Sequence, residues 1–125
     1  MGGRATGGVT RPKHVKIGHM RYHIEWLSED QWQLAAGRQD WGGDSEHERG
    51  RIRLRITPGR SEASLRETLL HEITHAVWVI VGLNHFPHAG SDDEVEESVI
   101  TRQSPTLLQT LQDNPHVVAY LVLND

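Results

Sequence analysis

Residues 51–82 read RIRLRITPGRSEASLRETLLHEITHAVWVIVG. The first seven alternate: Ile52, Leu54 and Ile56 fall on one side, Arg51, Arg53 and Arg55 on the other, with the period of two of a half-buried strand. Arg51–Thr57 is therefore a predicted strand with the arginines on its solvent face, ended by Pro58-Gly59. The period then changes. Leu65, Leu69, Ile73, Ala76, Val77 and Ile80 recur at three and four residues, which predicts a helix with one core-facing stripe. Ser61 or Ser64 can cap its start, Ser64 and Glu67 have capping-box spacing, and Gly82 stands where a C-terminal glycine belongs.

On the N-terminal side, Val15 and Ile17, then Tyr22, Ile24 and Trp26, share one parity around Gly18-His19, as in a hairpin of two short strands. His14, His19 and His23 are expected on its surface. Ser28 to Leu34 has the look of a short helix. Residues 35–50, with Gly37, Asp40, Gly42, Gly43, Asp44 and Gly50, read as a loop. On the C-terminal side, 83–90 is a loop. A second helix opens at Ser91, where Ser91 and Glu94 have capping-box spacing and Asp92 and Asp93 favour the positive end of the helix dipole. It runs to about Gln103. Ser104-Pro105 starts either a new helix or a kinked continuation through Leu111, and Asp113-Asn114-Pro115 precedes a short apolar tail, Val117 to Leu123.

A chain of 125 residues has room for one core, expected over 13–125 behind a Gly-rich flexible leader, 1–12. The longest apolar run, Ala76 to Leu83, falls far short of the ~18 residues a membrane helix needs. Met1 to Gly8 lacks the apolar stretch of a secretory signal. A cytoplasmic, membrane-free protein is expected. The leader and hairpin carry Arg4, Arg11, Lys13, Lys16 and Arg21 without interleaved aromatics, while the net charge is −4. That pattern describes a solvated arm, so nucleic acid is not the expected partner. With no cysteine and nine histidines, any bound metal must be held by His, Asp or Glu.

The helix supplies such donors in His71-Glu72-Ile73-Thr74-His75. A spacing of four sets the two imidazoles roughly 6 Å apart along the axis and ~40° around it, so both can reach one ion. Two histidines binding zinc around a Glu that takes a proton from the metal-activated water is the His-Glu-x-x-His arrangement of metallopeptidases. Random placement of nine histidines and the glutamates yields roughly 0.05 occurrences, so the weight rests on context: an apolar helix directly after a half-apolar strand. A catalytic zinc keeps three protein ligands. Residue 81 is Val81, which excludes metzincin spacing. His85 and His88 are candidates by type, and the acidic run Asp92, Asp93, Glu94, Glu96, Glu97 is the better source. If the second helix returns antiparallel, His75 lies ~10 Å below the turn and Glu97 ~8 Å. Periodicity leaves Glu96 and Glu97 both open.

The pattern Leu69-Leu70-His71-Glu72-Ile73-Thr74-His75-Ala76, after the 51–57 strand and before an acidic helix and Leu107-Leu108-Gln109-Thr110-Leu111-Gln112-Asp113-Asn114-Pro115, resembles small phage and prophage zinc metallopeptidases. These are similar to ImmA/IrrE-like and, more distantly, SprT-like minimal gluzincins. The resemblance covers about 15–121 and implies an α+β minimal zincin-like domain: a small, mainly antiparallel sheet packed on the active-site helix, with a returning second helix. It implies zinc (Zn2+) held by His71, His75 and a Glu three residues before a buried aliphatic position. With Ile100 there, the Glu is Glu97; a register shift gives Glu96, and the SprT-like pattern gives His88. Glu72 is then the general base, and a peptide or protein the substrate. Competing readings are a non-catalytic zinc module that binds or regulates a protein, and a DNA-associated SprT-like protein. His85, His88 and Tyr120 are the candidate oxyanion donors, and Trp78 is either a pocket wall or core.

Overall fold

A computed structural model describes residues 10–37, 40–85 and 90–124. Its elements are β1 (His14–Ile17), β2 (Met20–Ser28), α1 (Glu29–Ala36), β3 (Gly43–Glu46), β4 (Arg51–Ile56), α2 (Glu62–Ile80), α3 (Asp92–Asp113) and α4 (Pro115–Leu121), with 3-10 turns at His47–Arg49 and Leu83–His85. The strands form one sheet in the order β1-β2-β4-β3. The domain is α+β, as expected, but the sheet is mixed. β1–β2 and β3–β4 are antiparallel, whereas β2–β4 is parallel. The intervening α1 and β3 supply the long connection that a parallel pair requires.

The core lies where the two stripes read from residues 51–82 meet. Val15, Ile17, Tyr22, Ile24, Ile52 and Leu54 from the sheet pack on Leu65, Leu69, Ile73, Ala76 and Val77 of α2, closed by Val117 and Tyr120 of α4. Ser61 is the cap of α2, its side chain accepting from the Ser64 N–H at 3.1 Å. The helix ends at Val81, ahead of Gly82 in a left-handed conformation.

Two expectations are corrected. The segment read as a loop, 35–50, contains the edge strand β3. It escapes pattern reading because it is short and polar, and its pairing depends on charge: Asp44 and Glu46 lie opposite Arg53 and Arg51 and bond their guanidinium groups. The arginine face of β4 is not a solvent face. α1 covers it, laying the fully buried Trp32 under Arg53 and Arg55, whose guanidinium carbons stand 5.6 and 5.8 Å from the ring centroid. Arg53 is 5 % exposed and Arg55 bonds Glu29 at 2.8 and 2.6 Å. The apolar tail is the helix α4. Of the two readings left open at Ser104-Pro105, continuation holds, because α3 runs through Pro105 as one helix.

Residues 1–9 of the expected leader lie outside the described residues. Its last two are built into the domain: Arg11 bonds Glu62 at 3.0 Å and stacks over Trp26, and the Pro12 carbonyl accepts from the Trp26 indole at 2.7 Å. Among the described residues no helix is long and apolar enough to cross a membrane.

The two edges of the sheet differ. On β1, the buried Asn114 side chain acts like a strand: its Oδ1 accepts from the Lys16 N–H at 2.8 Å and its Nδ2 donates to the Lys16 carbonyl at 2.7 Å, while His116 Nε2 reaches the His14 carbonyl at 2.8 Å. β3, at the other edge, has β4 as its pairing partner. Asn114→Ala removes both partners of a Lys16 backbone pair, and leaving such groups unsatisfied costs about 1–3 kcal/mol. Urea unfolding should register that loss, with faster amide exchange confined to β1.

Candidate active site

A cleft of ≈ 670 Å³ runs between β3 and α2. One wall comes from Gly43, Asp44, Ser45 and His47, the other from Thr68, His71, Glu72 and His75, with Trp41 and Trp78 among the lining side chains. The close approach of the walls requires Gly43. A Cβ there would sit 2.7 Å from the Arg53 carbonyl oxygen and 2.9 Å from Thr68 Cγ2, inside van der Waals contact with rigid neighbours. His71 and Glu72 lie three and four residues after Thr68, and His75 lies four and three residues after them, so the four form a stripe beside the apolar one.

His71 and His75 are exposed to the cleft, with their Nε2 atoms 3.0 Å apart and rings inclined at 80°. Two nitrogens each ~2.0–2.1 Å from one tetrahedral ion would lie about 3.3 Å apart, so the pair fits a zinc ion with little movement. Glu72 is 6 % exposed. Burial pushes its carboxyl above the ordinary range, opposed by the two imidazoles and a hydrogen bond with Ser45, and reinforced by the nearby Asp44 charge. Asp44 itself is held by Arg53.

The structure thus brings together three of the four residues expected at the site. Glu97 is not among the side chains lining this cleft. It and Glu96 are exposed on α3, and Ile100, expected to be buried, is 49 % exposed. The reason is where α3 docks. Its buried residue is Thr110, and Leu107 packs on the core, so the helix is anchored through its C-terminal half, while the acids of its first half are exposed. Among the described residues no three His, Asp or Glu side chains converge to hold a metal. His88 lies outside the described residues. His85 is exposed beside Asn84, and Tyr120 is buried against Glu62, donating to it at 2.7 Å. Neither lines the cleft. Trp78 does, as one of the two readings held.

The sequence reading missed Ser45, Asp44, His47 and Tyr22. Tyr22 was legible as core. Its hydroxyl reaches beyond the core to hydrogen-bond Nδ1 of His47, at the start of the 3-10 turn after β3. The other three were lost with β3, which carries Asp44 and Ser45, and with the turn after it, which starts at His47; the signal was Gly42-Gly43 followed by acids facing the arginines of β4. Comparison with family models, curated proteins and solved structures gave no match.

A carboxyl whose native pKa lies above its unfolded value costs stability at pH above the native value, and the cost disappears as pH falls through the native and then the unfolded value. Glu72 is such a group. In the metal-free protein Glu72→Gln should raise the melting temperature at pH 7, and the advantage over wild type should shrink toward pH 4. An equal or lower melting temperature at pH 7 would mean that the buried carboxylate is fully compensated.

Proposed function

We propose that the chain is a zinc-dependent metallopeptidase of minimal zincin-like build, with His71 and His75 holding the metal and Glu72 as general base. The observation that carries the reading is Glu72: a carboxylate buried behind the cleft surface, with its pKa raised by that burial, between two histidines whose Nε2 atoms converge to 3.0 Å. Structural ion pairs place carboxylates against arginines, as elsewhere in this domain, and not at the back of a cleft beside two imidazoles. A cytoplasmic setting and a peptide or protein substrate belong to the same proposal. The third ligand proposed from the resemblance is Glu97, whose carboxylate would have to be brought to the histidine pair from its exposed place on α3.

When bound, zinc would supply Lewis-acid activation of water near neutral pH. The chain does the rest. An extended peptide adds along the edge strand β3, where main-chain hydrogen bonding fixes its register. Trp41 and Trp78 offer apolar surface to its side chains. Glu72 takes a proton from water as the water oxygen bonds the carbonyl carbon; the carbon–nitrogen bond then breaks, and Glu72 returns the proton to the leaving amine. Ser45 holds the carboxylate in place for both transfers.

His71→Ala or His75→Ala should abolish zinc binding measured by metal analysis of purified protein; stoichiometric zinc in both variants would put the site elsewhere. Glu72→Gln keeps the shape but cannot accept the proton, so zinc should remain while peptide hydrolysis falls by about 10²-fold or more. Side-by-side zinc titration of Glu97→Ala, Glu96→Ala and His88→Ala identifies the third ligand, with the loss expected at Glu97 and exceeding the ~10–100-fold typical of an outer partner.

A further inference from the structure

Tyr22 stands on β2 with the core-facing parity and is fully buried. A buried phenol needs a partner for its O–H. Among the described residues its oxygen meets Nδ1 of His47, the rings lying 5.9 Å apart and inclined at 47°. Burial pushes the phenol pKa up and so keeps the proton on oxygen. With the phenol as donor, Nδ1 is the accepting nitrogen, which puts the ring proton on Nε2. No acceptor among the described residues takes that N–H. His47 is half-buried and lines the cleft.

Its place in the fold gives this donor a use. His47 follows Glu46, the last residue of the edge strand β3, so a peptide laid along that edge passes Ser45 and then His47. Across the cleft stand His71, Glu72 and His75. Glu72 is an acceptor, and the His47 N–H, on the wall where the edge strand ends, is a donor suited to a polarised carbonyl. Resting on the peptidase reading, we propose that His47 is a further catalytic residue: its Nε2–H donates to the carbonyl oxygen of the bound peptide and to the oxyanion which that oxygen becomes when water adds. Tyr22 is a positioning residue that fixes the tautomer.

Two measurements test this. In the metal-free protein at neutral pH, long-range proton–nitrogen spectra should show His47 with a proton on Nε2 and none on Nδ1, and Tyr22→Phe should release the ring into a mixture of tautomers. A proton fixed on Nδ1 in the wild type overturns the assignment. In the zinc-loaded protein, calorimetry with a peptide phosphinate, whose tetrahedral anionic oxygen mimics the oxyanion, should show His47→Ala binding about 10²–10³-fold more weakly. His47→Gln, which keeps an N–H donor, should recover part of the loss, and zinc content should not change in either variant. Loss of zinc in His47→Ala would make His47 a ligand instead and overturn the proposal. If His71→Ala abolishes phosphinate binding while His47→Ala binds like wild type, the peptidase reading stands and the donor role falls. If His71→Ala binds like wild type, the peptidase reading falls, and with it the carbonyl as the donor's target.

Discussion

Everything in this domain depends on one helix serving two surfaces at once. With ~100° between successive residues, α2 sets Leu65, Leu69, Ile73, Ala76 and Val77 into the core and turns the adjacent stripe, Thr68, His71, Glu72 and His75, toward the cleft. Glu72 sits on the boundary between the two. It is buried by the same packing that fixes the helix, and its raised pKa follows from that burial. The carboxylate expected to cost the metal-free fold stability is the one the proposed chemistry needs.

The other face of the sheet is built on charge. Arg51, Arg53 and Arg55 of β4 are matched by Glu46 and Asp44 of β3 and Glu29 of α1, and Trp32 fills the space beneath the last two guanidinium groups. Exposed ion pairs contribute little, but Arg53 with Asp44 is bidentate and largely buried, the geometry in which arginine is most specific. Its value here is positional. The pair pins β3 as the edge strand, and β3 carries Ser45 to the cleft wall beside Glu72 and leads into His47. A salt bridge on one face of the sheet thus sets the wall of a cleft on the other.

The sheet also treats its edges unequally. Asn114 and His116 occupy the Lys16 backbone pair and the His14 carbonyl of β1, a protection against unwanted strand addition, whereas β3 borders the cleft. A sheet guarded on one side and presented to a groove on the other is suited to receive an extended chain at a single place, and that is why the peptide reading fits the strand order as well as the histidines.

The sequence by itself determined whatever rests on period and local capping. The strand 51–57, the N-terminal hairpin and α1 appear as read, as do the α2 stripe and the Ser91-Glu94 capping box of α3, because each depends on residues near one another in the chain. It also put His71, Glu72 and His75 on one side of a helix. What the tertiary structure decided is every pairing between distant segments. It made residues 43–46 a strand by setting acids opposite arginines. It hid an arginine face under α1, brought Ser45 and His47 to the cleft, and anchored α3 through Thr110, so that Glu97 and Ile100 are exposed. The physical reason is the same in each case: periodicity reports which side of an element is apolar, while the partner that covers that side, and the depth to which it covers it, depends on packing and charge between residues that the chain keeps far apart.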